Sequence, residues 1–198
     1  MTIKLGLTGS IATGKSTVLA AFSDLGVPVF SSDDYVHELY RGAAVGPVEA
    51  AFPGVTVDGV IDRQKLGAQV IGNPGRLEEL EAIVHPLVRA GIRKFLVDAE
   101  TNAAPLAVVD IPLLYENAVD WGLDGVVVTT VAEPEQRRRA LARPGMTVDK
   151  LEAILARQIP QAEKIRRADY VFDTSGTIAE TREAVRDLVL RLKAQAVQ

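Results

Sequence analysis

The chain has 198 residues, 47% of them hydrophobic and 24% charged, with a formal net charge of −4 and no cysteine. That length fits one large domain or a core with insertions, and folding buries roughly 70% of the surface of such a chain. Disulfides, thiol catalysis and cysteine-ligated metals are excluded, and the acidic balance argues against broad binding to nucleic acid or anionic membranes.

The opening Met-Thr-Ile-Lys-Leu-Gly already reads as strand, which predicts a chain with no signal peptide and a cytoplasmic location. No stretch approaches the ~20 apolar residues of a membrane helix. Residues 3–8 lean apolar and lead into Gly9-Ser10-Ile11-Ala12-Thr13-Gly14-Lys15-Ser16, a complete G-x-x-x-x-G-K-S string. Residues 15–25 then read as helix, with Val18, Leu19 and Phe22 on one face. Strand, glycine-bearing loop and helix in that order form a phosphate-binding loop, whose backbone N–H groups wrap a β-phosphate at a helix N-terminus. Gly9 is expected to permit the sharp turn, and Gly14 to let the backbone approach phosphate without a Cβ. Lys15 is expected to reach the β- and γ-phosphates, and the Ser16 hydroxyl to ligate Mg²⁺. Ile11, Ala12, Thr13 and Thr17 complete the cradle. The predicted ligand is a nucleoside triphosphate.

Further strands are expected at residues 27–31, 106–110, 125–130 and 170–173, alternating with helical patterns as in a parallel α/β sheet. The second strand ends in Phe30-Ser31-Ser32-Asp33-Asp34. Asp33 is placed to orient or deprotonate an acceptor hydroxyl; the alternative is that Asp33 or Asp34 caps the next helix. Residues 32–101 read as a mostly helical insertion punctuated by Pro53-Gly54 and Asn73-Pro74-Gly75, with Asn73 as an N-cap. His85 before Pro86 predicts a break, or a second helix start, within residues 77–99. His37 and His85, without a paired histidine or cysteine nearby, make a poor metal site, and His85 suits a structural or acceptor-contacting role. Asp110 closes the third strand, either as an ordinary terminal acid or to hold Ser16 or a Mg²⁺-bound water. Pro112-Leu113-Leu114-Tyr115-Glu116 is too apolar for a free loop and is expected to pack beside the acceptor, with Leu114 and Glu116 in contact with it.

Arg137-Arg138-Arg139 and Arg143 carry the densest positive charge. A helix there places Arg139 and Arg143 on one face, where guanidinium groups can close over a transferring phosphate. Residues 146–159 read as an amphipathic helix ended by Pro160, and Lys164, Arg166 and Arg167 form a second basic cluster, either functional or solvated. Thr177-x-x-Glu180 is a capping box, with Ile178, Val185, Leu188, Val189 and Leu192 as the apolar stripe behind it.

No N-K-x-D string for guanine is present. The whole pattern resembles the dephospho-coenzyme A kinase family over almost the full chain. Its carriers are the loop from Gly6 to Thr17, Asp33, Ile83-Val84-His85-Pro86-Leu87, the 112–116 string, Gln136-x-x-Arg139-x-x-x-Arg143, and Arg157-Gln158-x-Pro160-x-x-Glu163-Lys164 with Ala168-Asp169-Tyr170. The resemblance implies a nucleoside-kinase-like P-loop fold in three layers. Its parts would be a five-stranded parallel core (residues 1–31, 102–135 and 168–198), a helical acceptor-binding region (about 32–101) and a lid (about 136–167). It implies transfer of the ATP γ-phosphate, with Mg²⁺, to the ribose 3′-hydroxyl of dephospho-coenzyme A. Asp33 would then be the acceptor-side base, and Arg139 and Arg143 the lid arginines. The sequence departs from the family where Ser31 replaces the first acid of an Asp-x-Asp pair and His37 stands where an arginine is usual. Rival readings are another small-molecule P-loop kinase, for a nucleoside monophosphate or a sugar acid, and a nucleotide-dependent switch. An arginine-bearing lid, which keeps water from the γ-phosphate, disfavours the switch. Oligomeric state is left between monomer and weak oligomer.

Overall fold

The computed structural model describes residues 1–117 and 119–196. In chain order its elements are β1 (Ile3–Gly9), α1 (Lys15–Asp24), β2 (Val29–Ser31), α2 (Ser32–Leu39), α3 (Val45–Ala51), β3 (Thr56–Val57), β4 (Val60–Ile61) and α4 (Arg63–Val70). They continue with α5 (Pro74–Thr101), β5 (Leu106–Asp110), β6 (Gly125–Thr130), α6 (Glu133–Leu141), α7 (Val148–Ala156), α8 (Gln161–Arg167), β7 (Tyr170–Asp173) and α9 (Ile178–Ala196). The chain divides into two compact units, one of Met1–Ser31 with Leu96–Gln198 and one of Ser32–Phe95.

The first unit is built on a five-stranded sheet in the order β2-β5-β1-β6-β7, with every pair parallel. A parallel sheet is covered on both faces, so its inner strands must be apolar throughout. That is why Leu106-Ala107-Val108-Val109-Asp110 is buried at all five positions. Val18 and Phe22 of α1 and Val185, Leu188 and Leu192 of α9 pack with Leu5 and Leu7 into the main core. All five expected strands are present. β2 starts two residues late, because the Val27 N–H donates to Phe22 O at the end of α1 rather than to a neighbouring strand.

The capping box forms as expected: Thr177 N donates to Glu180 Oε2 at 2.7 Å, and Glu180 N donates to Thr177 Oγ1 at 3.2 Å. Ile178 is a correction to the expected stripe, being 62% exposed. It lies in the first turn of α9, before the helix reaches the core, and buried Thr181 takes the first inward position. α7 is also shorter than expected. Thr147 caps its start by accepting from Lys150 N, and the helix ends at Ala156 rather than at Pro160, which instead caps α8.

The second unit buries Leu39, Val48, Phe52, Val55, Leu66 and Val84 in its own core. Between its helices lies a hairpin, β3–β4, that a mostly helical reading of the insertion did not anticipate. Its turn is Asp58-Gly59, with φ of +50° and +79°, the left-handed pair that a two-residue hairpin demands. Asp62 then caps α4, its carboxylate accepting from Gln64 N and Lys65 N. Asn73 begins α5 as expected, its Oδ1 accepting from Arg76 N at 3.3 Å.

The expected break at His85–Pro86 does not occur. α5 runs unbroken for 28 residues with Pro86 inside it. An interior proline costs about 3 kcal/mol through its missing N–H and its ring. Here buried Val84 and partly buried Ile83, Leu87 and Val88, on both sides of the proline, pack against the unit's core. Burial of those side chains, about 1.5–3 kcal/mol for each one fully buried, outweighs the local penalty.

Candidate active site

The loop between β1 and α1 is held open by its own backbone and by distant side chains. Gly9 ends β1 and does not make the turn, which corrects the expectation for it; among the described residues of the loop, positive φ falls on Ala12 (+62°) and Gly14 (+85°). Gly9 is required for a different reason. A Cβ there would lie 2.3 Å from Thr129 Oγ1 and 2.7 Å from Thr13 Oγ1. Gly14 caps α1 in the left-handed region, and its carbonyl accepts from Thr17 N and Val18 N. The N–H groups of Gly14, Lys15 and Ser16 have no acceptor among the described residues, which leaves them facing outward as anion donors at a helix start. The Lys15 ammonium and the Ser16 hydroxyl likewise have no partner among the described residues. A bare cation beside bare N–H groups is the chemistry of a polyphosphate site.

The rest of the loop is clamped. Thr13 Oγ1 donates to Ser10 O at 2.8 Å and lies 2.7 Å from Thr129 Oγ1, while Thr174 Oγ1 donates to Thr13 O at 3.0 Å. Two glutamines grip the peptide groups of Ile11. Gln136 Nε2 donates to Ile11 O at 2.8 Å, and Ile11 N donates to Gln158 Oε1 at 3.1 Å. Ala12 is buried in a small cluster with Ala140 and Leu151. These contacts offset the roughly 1–2 kcal/mol that a left-handed alanine costs. Gln136→Leu leaves the Ile11 carbonyl without its partner, a loss of about 1–3 kcal/mol. KM for ATP is therefore expected to rise by roughly five- to a hundredfold in steady-state kinetics, and an unchanged KM would show that the loop holds its shape unaided.

Asp110 is buried at the end of β5, in register with Leu7 of β1 and Ser31 of β2. Beside it, Ile111 N donates to Leu7 O and Thr8 Oγ1 donates to Pro112 O, so the acid stands one step below the loop. Arg139 is anchored on three sides. Its Nε donates to Glu135 Oε1 at 2.7 Å, Nη1 to Thr174 Oγ1 at 3.1 Å and Nη2 to Thr174 O at 2.8 Å. Hydrogen bonds from Arg138 and then Arg139 hold the Glu135 carboxyl down at about 2. Arg143 does not share a helical face with Arg139. α6 ends at Leu141, because the Pro144 ring disfavours helix at the residue before it and Gly145 turns the chain at φ +72°. Arg143 is exposed there, and its guanidinium has no partner among the described residues.

The 112–116 segment packs against the core and α8. Leu114 is buried over Gly6, where any Cβ would lie 2.6 Å from Leu114 Cδ1. Tyr115 donates its hydroxyl to Arg167 O at 2.9 Å, and its pKa is pushed up to about 12 by burial and then by Asp169. Glu116 Oε1 lies 2.7 Å from the Nζ of Lys164, which is fully buried, and also accepts from Ile159 N at 3.0 Å. Removing one partner of a buried pair strands the other charge, at a cost of about 3–5 kcal/mol. Lys164→Met is therefore expected to lower Tm by roughly 6–20 °C in a thermal melt. A melt superimposable on the wild type would contradict the pair's structural weight.

In the second unit, Asp33 and Asp34 occupy the first turn of α2, within the helix rather than at its cap. Asp33 is exposed and its carboxylate has no partner among the described residues, whereas Asp34 is engaged. Asp33 borders a cleft of about 430 Å³ that includes Val36, His37, Arg63 and Leu66. His85 stands half-buried on α5, directly before Pro86. Among the described residues, no group of three His, Asp or Glu is arranged to hold a metal by itself.

A family model described as dephospho-CoA kinase matches residues 3–180. The chain belongs to the dephospho-CoA kinase family. It is 52% identical over 185 residues to a dephospho-CoA kinase of Rhodopseudomonas palustris (strain BisB18), covering 93% of each chain. It is likewise 52% identical over 193 residues to one of Mesorhizobium japonicum, covering 98% of each. Among solved structures, the dephospho-CoA kinase from Campylobacter jejuni superposes with a TM-score of 0.71 at 25% identity, over 96% of this chain and 97% of that one. A shikimate kinase from Bacteroides thetaiotaomicron, at 18% identity and a TM-score of 0.55 over 94% of this chain and 98% of that one, shares the fold. Membership gives the family strings a structural meaning that the sequence alone did not assign. Gln136 and Gln158 hold the loop's Ile11 peptide groups, and Lys164 with Glu116 ties the 112–116 segment to α8. No helix among the described residues is long and apolar enough to cross a membrane.

Proposed function

We propose that the protein transfers the γ-phosphate of ATP to the ribose 3′-hydroxyl of dephospho-coenzyme A, yielding coenzyme A, as a cytoplasmic enzyme. The observation that carries this reading is 52% identity to a dephospho-CoA kinase spanning 98% of both chains.

The roles follow from the chemistry of each group. The outward N–H groups of Gly14, Lys15 and Ser16 bind the β-phosphate, with Ala12, Thr13 and Thr17 shaping the cradle. Lys15 follows the γ-phosphate as negative charge shifts during transfer. The Ile11 N–H is held by Gln158, so that residue serves by fixing the loop's shape. Ser16, with a bare hydroxyl, and Asp110, a buried acid at the neighbouring strand end, form a hard oxygen pair suited to Mg²⁺. Bound there, Mg²⁺ would neutralise charge on the β- and γ-phosphate oxygens. Arg139 keeps Thr174 against the loop, and exposed Arg143 is the lid arginine available to the transferring group. Asp33 orients the acceptor hydroxyl and takes its proton. Leu114 and Glu116 hold the 112–116 segment in place, and His85, Leu114 and Glu116 are the residues assigned to acceptor contact.

Turnover against dephospho-coenzyme A, shikimate, gluconate and a nucleoside monophosphate, each with Mg²⁺-ATP, tests the assignment. Dephospho-coenzyme A is expected to be preferred by orders of magnitude in kcat/KM, and a better rate with any of the others would overturn it.

A further inference from the structure

α2 places Asp33 and His37 four residues apart on one side, Tyr40 follows just past its end, and α4 brings Arg63 to the same cleft. Arg63 Nη1 donates to His37 Nε2 at 2.6 Å. With the guanidinium as donor, Nε2 is the unprotonated ring nitrogen and the imidazole proton sits on Nδ1. The histidine thus steers Arg63 without neutralising it. By contrast, Arg76, Arg138 and Arg139 each pair with a glutamate within 2.7 Å. No carboxylate pairs with Arg63 among the described residues, even though Asp34 and Glu38 line an adjoining cleft of about 440 Å³ together with it. Arg63 is exposed at the cleft, and a guanidinium aimed by its neighbour and without a carboxylate is able to take an anion, its planar fork suiting phosphate oxygens.

The other wall of the cleft is apolar, formed by Val36, Leu66, Val70 and Leu80, and Ile71 at its edge is 82% exposed. One molecule answers both walls: an anionic diphosphate joined to a long, weakly polar arm. We propose that Arg63, steered by His37, binds the diphosphate of the acceptor, with the pantetheine arm lying along the Val36–Leu66–Val70 wall. The assignment rests on the function proposed above and gives its acceptor a seat within this unit.

The test is calorimetric titration of wild type and Arg63→Gln with dephospho-coenzyme A and with adenosine, which lacks the diphosphate. The phosphate loop is kept filled throughout with a non-hydrolysable ATP analogue. Dephospho-coenzyme A is expected to bind the variant roughly ten- to a hundredfold more weakly, with adenosine unaffected and Arg63→Lys recovering part of the loss. Equal weakening of both ligands, or equal affinity of wild type and variant for dephospho-coenzyme A, overturns the proposal. Coenzyme A formation by the wild type is scored separately. A protein that binds through Arg63 yet forms no coenzyme A would sink the reaction assignment and leave this subsite standing.

Discussion

Asp33→Asn is expected to lower kcat by roughly 10²–10⁴-fold while ATP affinity holds, the range for loss of a positioned base. The substitution keeps the size of the side chain and removes its charge and basicity. Asp33 is the suited acid because its carboxylate is exposed at the cleft and unpartnered among the described residues. Asp34, engaged within the first turn of α2, is the internal control, and Asp34→Asn should mainly disturb the start of that helix. A largely dissociative transition state asks less of a base than of orientation, which places the effect toward the lower end. Steady-state kinetics with a separate ATP-binding measurement decides the matter. Normal turnover by Asp33→Asn with an inactive Asp34→Asn would reverse the two roles, and loss of ATP binding would move Asp33 out of the acceptor site.

Lys15→Ala is the second large effect. The ammonium is half-buried at the start of α1, beside N–H groups that have no protein acceptor among the described residues. Nothing within the fold among the described residues depends on its charge, so the variant should fold normally. With Lys15 in its proposed role beside the γ-phosphate, removing the cation is expected to reduce kcat by about 10²-fold or more. Near-normal kcat, with an unchanged thermal melt, would show that Lys15 does not touch the transferring group.

Local patterns were legible in the sequence because their physics is local. Strand, loop and helix around residues 3–25, the Asn73 cap and the Thr177–Glu180 box each depend on residues within a few positions of one another. The Asp58-Gly59 hairpin was equally local, and a helical expectation for the surrounding region hid it. Pro86 failed as a break because burial along α5, set by the tertiary core, overrode a local rule. The clamp on the loop was beyond reach. Gln136 and Gln158 act on Ile11 from 125 and 147 residues away, and glutamine carries no pattern that announces such a bond. Lys164 was hidden for a similar reason. Beside Arg166 and Arg167 it reads as part of a solvated basic face, and only the fold shows it fully buried against Glu116.

Protein, Mg²⁺-ATP and dephospho-coenzyme A are incubated together, and the product is analysed by mass spectrometry with phosphorus NMR to place the new group. The expected result is coenzyme A, one phosphate heavier than the acceptor and carrying it at the ribose 3′ position, with one ADP formed for each. ATP consumption that proceeds equally without the acceptor, or a phosphate found at another position, would contradict the account.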